Sequence, residues 1–245
     1  MALLPTQKSQ PKTNLSDFTV FIYGHPKIGK TTFAAAFPDA IFLATESGHN
    51  SLSIFKIDID TWEKFLEACR ELAEGKHGFK TVCVDTLDNL WSLCRNHVCE
   101  KNKIAHESDL SYGKGHSLIL SEFQRVLTKL SMLQFGLVLI SHAAVQEIQT
   151  RTGTMHKVVP SLPDKPRKLV LGMSDLILFC DQEIVRTDDG KQVIHRVIRT
   201  QPSPNYEAGD RTGRLPEVID LDYRKFTEAF GRPTQAAVNT NKKAQ

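Results

Sequence analysis

Tyr23-Gly24-His25-Pro26-Lys27-Ile28-Gly29-Lys30-Thr31-Thr32 is the stretch that decides the fold of this chain. From Gly24 it fits G-x-x-x-x-G-K-[ST] with nothing missing, the pattern of a loop that wraps phosphate groups. The apolar run at residues 18–23 predicts a buried strand leading in. Residues 31–37 predict a short helix leading out, stopped by Pro38. Gly24 and Gly29 let the backbone turn its N–H groups inward, and the helix N-terminus adds partial positive charge at the same point. Lys30 is placed to reach the β- and γ-phosphates, and the Thr31 hydroxyl to ligate Mg²⁺. Residues 24–32 are therefore the candidate binding set for a nucleoside triphosphate.

Around this loop the chain has ordinary globular chemistry. It holds 245 residues, 40% apolar and 24% charged, the profile of one soluble domain with decorations. No apolar run approaches the length of a membrane span, and the N-terminus lacks a signal-peptide core, so no membrane partner and a cytoplasmic location are expected. Five cysteines (Cys69, Cys83, Cys94, Cys99, Cys180) are an odd number, two of them in strand-like runs, which predicts reduced thiols. Cys94, His97 and Cys99 lie close together, but no second ligand pair follows at zinc spacing. The net charge of +3 is too small to identify a nucleic-acid partner.

Residues 1–16 are polar and aperiodic and predict a flexible arm. The domain is expected over residues 17–230, with a disordered tail at 231–245. Strands are predicted at 40–45, 79–85, 136–141 and 175–180. Helices are predicted at 61–74, through Leu87, Leu90, Trp91 and Cys94, at 117–132, and near 223–230. Thr61 is the expected cap of the 61–74 helix and Gly75 its stop. Residues 183–186 and 192–199 predict a hairpin around Asp188-Asp189-Gly190. Alternation of strands and helices predicts an α/β fold with a mostly parallel sheet. No internal repeat is present.

Three polar residues end predicted strands. Asp85 ends the strand expected beside the phosphate loop, where a carboxylate can hold magnesium; capping of the next helix is the other reading. Glu46 follows the 40–45 strand and could orient the water that attacks the γ-phosphate, or be an ordinary loop glutamate. His142 ends the 136–141 strand, where a γ-phosphate sensor and a structural histidine are both open readings.

Glu46, Asp85 and His142, each just after a successive strand, look like the RecA/RadA/KaiC branch of P-loop ATPases. Gly209-Asp210-Arg211-Thr212-Gly213 is similar to the RadA-type Lys-Asn-Arg-Phe-Gly motif, with Gly209 where that family has lysine. The layout from Asp17 to about Phe230 resembles compact RecA-like ATPases of bacteriophages, often labelled AAA-family ATP-binding proteins. One group of these is known as Sak-type single-strand annealing recombinases. The resemblance implies a RecA-like P-loop core with a C-terminal β-hairpin, ATP and Mg²⁺, and catalysis by Lys30, Glu46, His142 and, across a subunit interface, Arg211.

It also implies a homo-oligomer, ring or filament, located in the host cytoplasm if phage-encoded. Its partners would be single-stranded DNA and a single-strand DNA-binding protein. In that superfamily the segments corresponding to residues 101–116 and 143–168 are loops that carry the DNA. Here they hold Lys101, Lys103, Tyr112 and Lys114, then Arg151, Lys157, Lys165, Arg167 and Lys168. Cations suit the phosphate backbone and Tyr112 suits base stacking, although loops are commonly charged anyway. A small-molecule or nucleotide kinase, and an ATP-gated scaffold such as a helicase loader, remain as other readings of the same loop.

Overall fold

Apolar strands that read as nearly continuous hydrophobic runs need cover on both faces, and this sequence supplies it with helices between successive strands. The computed structural model describes residues 4–151, 153–187 and 190–232. Along the chain come β1 (Thr19–Gly24), α1 (Lys30–Ala35), β2 (Ala40–Ala44), β3 (Phe55–Asp58), α2 (Trp62–Glu74), β4 (Thr81–Asp85) and α3 (Leu87–Lys101). Then follow α4 (Lys114–Ser131), β5 (Gly136–Thr150), β6 (Gly153–Pro160), α5 (Asp164–Met173), β7 (Leu176–Arg186), β8 (Gln192–Arg199), β9 (Gly209–Asp210), β10 (Val218–Asp220) and α6 (Tyr223–Phe230).

The strand order is β10-β8-β7-β1-β5-β4-β2-β3. From β7 to β3 every pairing is parallel, while β8 and β10 add antiparallel strands at one end. This is a mixed α/β fold with a mostly parallel sheet and a C-terminal hairpin. Strand β1 lies at its centre with all six residues buried. Helices α2 to α5 cover one face, where Trp62, Phe65, Leu90, Phe123 and Val170 pack on Phe21, Leu43 and Val84. Helices α1 and α6 cover the other, where Phe33, Phe37, Phe226 and Phe230 pack on Val20, Ile22 and Phe42. The caps of α2 are as expected: Thr61 accepts from the Lys64 N–H at 3.2 Å, and Gly75 stops the helix at φ 68°.

Several expectations are corrected. The strand ending in Asp85 is not adjacent to β1, because β5 pairs with both and separates them. Residues 143–168 are not a loop: β5 runs on to Thr150 and pairs with β6 as an antiparallel ribbon, and α5 then begins at Asp164. Residues 143–150 (Ala143-Ala144-Val145-Gln146-Glu147-Ile148-Gln149-Thr150) carry that strand with no regular apolar–polar alternation, a weaker signal than the buried run before it. The 175–180 strand and the first arm of the hairpin are one strand, β7. Helix α4 starts three residues earlier than expected, after Gly113 in the left-handed region. Strand β3 and helix α5 had no expectation, being short, partly exposed or interrupted by Pro166.

The arm is anchored at its inner end, where Leu15–Asp17 makes one turn of 3-10 helix and Arg214 donates to the Thr13 and Lys12 carbonyls. Asp188 and Asp189 of the hairpin turn, and the tail from residue 233, lie outside the described residues. All five cysteines are free, four of them buried. Among the described residues there is no cluster of metal-binding side chains and no helix long and apolar enough to cross a membrane.

Gly115, in the first turn of α4, packs directly against the backbone of Glu107; a Cβ there would lie 2.9 Å from Glu107 Cα and collide with its carbonyl. Gly115→Ala is therefore expected to destabilise the chain by about 1–3 kcal/mol, as overpacking does, measured by urea denaturation. Hydrogen exchange should increase first in residues 104–113.

Candidate functional site

The phosphate-type loop sits between β1 and α1 as its sequence demands. Gly24 is required by the close pairing of β1 and β7, because a Cβ there would fall 2.5 Å from the Cys180 carbonyl oxygen. Gly29 stands at φ 118°, a conformation that side chains other than glycine rarely adopt. The Phe33 N–H donates to its carbonyl at 2.9 Å, which starts α1. His25, Pro26 and Lys27 are exposed, Ile28 is buried in the core, and Thr32 is exposed on α1.

Lys30 is 6% exposed and curls back over the loop, its Nζ donating to the carbonyls of Gly24 at 2.9 Å and His25 at 3.0 Å. Burial pulls its ammonium below the usual lysine range, while the nearby acids Asp85, Glu46 and Asp88 oppose that shift. Cys180, next to it, has its thiol pushed up to about 12 by burial and is neutral at pH 7.

Helix α1 crosses β5 toward β4, with Ala34 against Cys83, so Thr31 reaches Asp85 although their strands are not neighbours. Thr31 Oγ1 donates to Asp85 Oδ2 at 2.8 Å, and His49 Nε2 meets the same oxygen at 3.0 Å. Asp85 Oδ1 is buried with no hydrogen-bond partner. A threonine hydroxyl beside a carboxylate with one free oxygen is a hard-oxygen donor set that fits a small divalent cation such as Mg²⁺.

Next along the edge, β2 is stitched to β4: the Thr45 N–H donates to the Asp85 carbonyl, and the Thr86 N–H donates to Thr45 Oγ1, both at 2.8 Å. This fixes the start of the loop that carries Glu46. The partly exposed Glu46 lies with Oε2 3.3 Å from His142 Nε2, at the point where β5 exchanges its β1 partner for β6. The structure thus gathers Lys30, Thr31, Asp85, Glu46 and His142 along one edge of the sheet.

Asp88, the acid in the first turn of α3, is committed elsewhere. It accepts from Ser141 Oγ at 3.0 Å, from the His142 N–H at 3.1 Å, and from Ser161 Oγ. It ties α3 to β5 at Ser141–His142 and to Ser161, and of the two acids it is Glu46 that stays partly open.

Sequence reasoning missed two residues of this edge. His49 lies three positions after Glu46, but only the fold shows that its ring meets Asp85. Arg196 of β8 donates to the Ile28 carbonyl at 3.2 Å, a contact across 168 positions with no local signal. Beside them Gly29, Thr32, Phe33, Arg196, Leu221 and Tyr223 line a cavity of about 350 Å³ next to the loop.

Arg211 is not part of this edge. It stands at the opposite end of β7, with Nη1 2.9 Å from Asp175 Oδ1 and Nη2 donating to the Gly172 carbonyl. Of the residues considered for DNA, Tyr112 is 99% exposed on the connection before α4. Lys101, Lys103, Lys114, Arg151 and Lys165 make no ion pair among the described residues. Lys157 pairs with Glu207, while Arg167 and Lys168 pair with Asp164. Arg167 also donates to Gln146 and ties α5 to the β5–β6 ribbon.

Lys30→Ala is expected to abolish MgATP binding in calorimetry while leaving the melting temperature near wild type, because Lys30 bonds only two loop carbonyls. Asp85→Ala is expected to remove the magnesium dependence of nucleotide binding in the same titration.

Comparison with known proteins places the chain. The SPbeta prophage-derived uncharacterized protein YorG of Bacillus subtilis (strain 168) is 25% identical over 194 residues, which cover 77% of this chain and 57% of that protein. The chain thus spans little more than half the length of this curated relative. Among solved structures, the KaiC-like protein PH0186 from Pyrococcus horikoshii OT3 has 12% identity and a TM-score of 0.44, covering 77% of this chain and 80% of its own. The flagellar accessory protein FlaH from Methanocaldococcus jannaschii has 10% identity and a TM-score of 0.47, covering 83% and 84%. The AAA domain family matches residues 16–212, from the end of the arm through β9, and the chain belongs to that family.

Proposed function

We propose that this chain binds ATP with Mg²⁺ and hydrolyses it, as a RecA-like ATPase that assembles into homo-oligomers and acts on single-stranded DNA in phage recombination or annealing. The observation that carries the proposal is the single sheet edge on which Lys30, the Thr31–Asp85 pair and the Glu46–His142 pair converge. Lys30 exchanges its two carbonyl partners for phosphate oxygens, regaining in charge-assisted bonds what its desolvation costs. Thr31 and Asp85 hold Mg²⁺, which neutralises charge on the phosphates when bound. Glu46 accepts the proton of the attacking water, and His142 orients Glu46 and meets the γ-phosphate. The cavity at Thr32 and Tyr223 takes the base.

DNA handling is supported by the resemblance, by the exposed Tyr112, and by Lys101, Lys103 and Lys114, which make no ion pair among the described residues. The prophage origin in YorG's name supports a phage setting. A role for Arg211 in a neighbour's site requires that it leave Asp175. A kinase or a non-hydrolysing scaffold would show no stimulation of turnover by single-stranded DNA, and that measurement is the deciding test of the DNA reading.

Glu46→Gln is expected to keep ATP affinity and lower turnover on the order of a hundredfold, the size of a general-base contribution. Turnover at the wild-type rate would exclude Glu46 as the base. Replacing Lys101, Lys103 and Lys114 by alanine is expected to weaken single-stranded DNA binding whatever its sequence. The log-log salt slope should fall by about two units, measured by fluorescence anisotropy across a salt series.

A further inference from the structure

We infer that His49 is a positioning residue that ties the Glu46 loop to the magnesium-holding carboxylate of Asp85. The inference rests on the proposed MgATP site and extends it to a residue with no part in the phosphate-loop pattern. His49 is 2% exposed, deeper than either Glu46 or His142. Its Nε2 lies 3.0 Å from Asp85 Oδ2, the oxygen that also accepts from Thr31. Two donors on Oδ2 fix the carboxylate plane and leave the buried Oδ1 as its free donor atom. An outer partner that orients a carboxylate in this way sets both its direction and its affinity for a cation.

The ring has one aromatic neighbour, and the backbone after it is closed by a turn. Its edge packs against Phe42 of β2, with centroids 5.7 Å apart. The Leu52 N–H donates to the His49 carbonyl at 3.0 Å and closes the turn after it. The imidazole thus faces the Asp85 carboxylate through Nε2, while its Nδ1 is buried with no hydrogen-bond partner among the described residues. A three-residue span of loop joins the acid that would activate water to the ring that holds the metal-binding carboxylate. Glu46 is fixed at one end by the Thr45–Thr86 bonds and at the other by His49.

The test compares wild type with His49→Leu, which keeps volume and removes the donor, and His49→Gln, which restores a donor. Mn²⁺ affinity is measured by electron paramagnetic resonance in the presence of a non-hydrolysable ATP analogue, alongside steady-state hydrolysis. His49→Leu is expected to weaken Mn²⁺ binding by about tenfold or more, the range for loss of an outer partner. It should also lower kcat with little change in KM for ATP, and His49→Gln should recover most of both. Wild-type Mn²⁺ affinity in His49→Leu, or equal impairment in His49→Gln, would overturn the inference. In unsubstituted protein, the His49 ring resonances should shift when Mg²⁺ joins the bound analogue; no shift also overturns it, even if the leucine variant does not fold. A wild type that binds no analogue at all would overturn the proposed ATPase function and the His49 inference with it.

Discussion

The parallel pairing of β1 with β5 on one side and β7 on the other is the constraint on which the site depends. It buries all six residues of β1 and brings its last glycine against Cys180, so the chain has to leave the sheet at Gly24. The loop that follows turns its carbonyls toward Lys30 and its next glycine into a backbone conformation that starts α1. Because β5 occupies the place beside β1, the acid that meets Thr31 comes from the second strand over, and α1 lies across β5 to reach it. One pairing thus sets the position of the loop, the direction of α1 and the distance to Asp85.

Electrostatics along this edge are arranged by burial more than by net charge. Lys30 is desolvated among Asp85, Glu46 and Asp88, which keep an ammonium tolerable in a nearly closed position. Each acid has a different set of partners. Asp85 is shared by Thr31 and His49, Asp88 is taken up by Ser141, the His142 N–H and Ser161, and Glu46 is left partly open beside His142. Three carboxylates within a few strands of one another therefore have three separate surroundings.

The phosphate loop, the buried strands of the sheet and α2 with its caps were legible because their signals are local. A glycine pattern, continuous apolar runs and a Thr61–Gly75 bracket need no knowledge of distant residues. The β5–β6 ribbon is not legible because the loop at 143–168 is implied by the resemblance, and the residues themselves, mostly polar and partly exposed without regular alternation, give no strand signal against it. Helix α5 was hidden by Pro166 in its first turn, a position where proline is compatible with a helix. His49 and Arg196 were invisible for a different reason: each acts through one contact with a residue far away in sequence. The bonds of Asp88 to Ser141, the His142 N–H and Ser161 likewise exist only once α3, β5 and the residues after β6 are together.

Strands β5 and β7 each continue past the edge into an antiparallel ribbon, without a break in the strand. Each therefore serves as a wall of the phosphate site at one end and as an outrigger at the other. Because each strand is continuous, the ribbon and the stretch bonded to β1 are one run of backbone with no loop between them. The exposed apolar side chains Val145 on one ribbon and Ile184 and Ile194 on the other are thus carried by the same two strands that flank the phosphate loop.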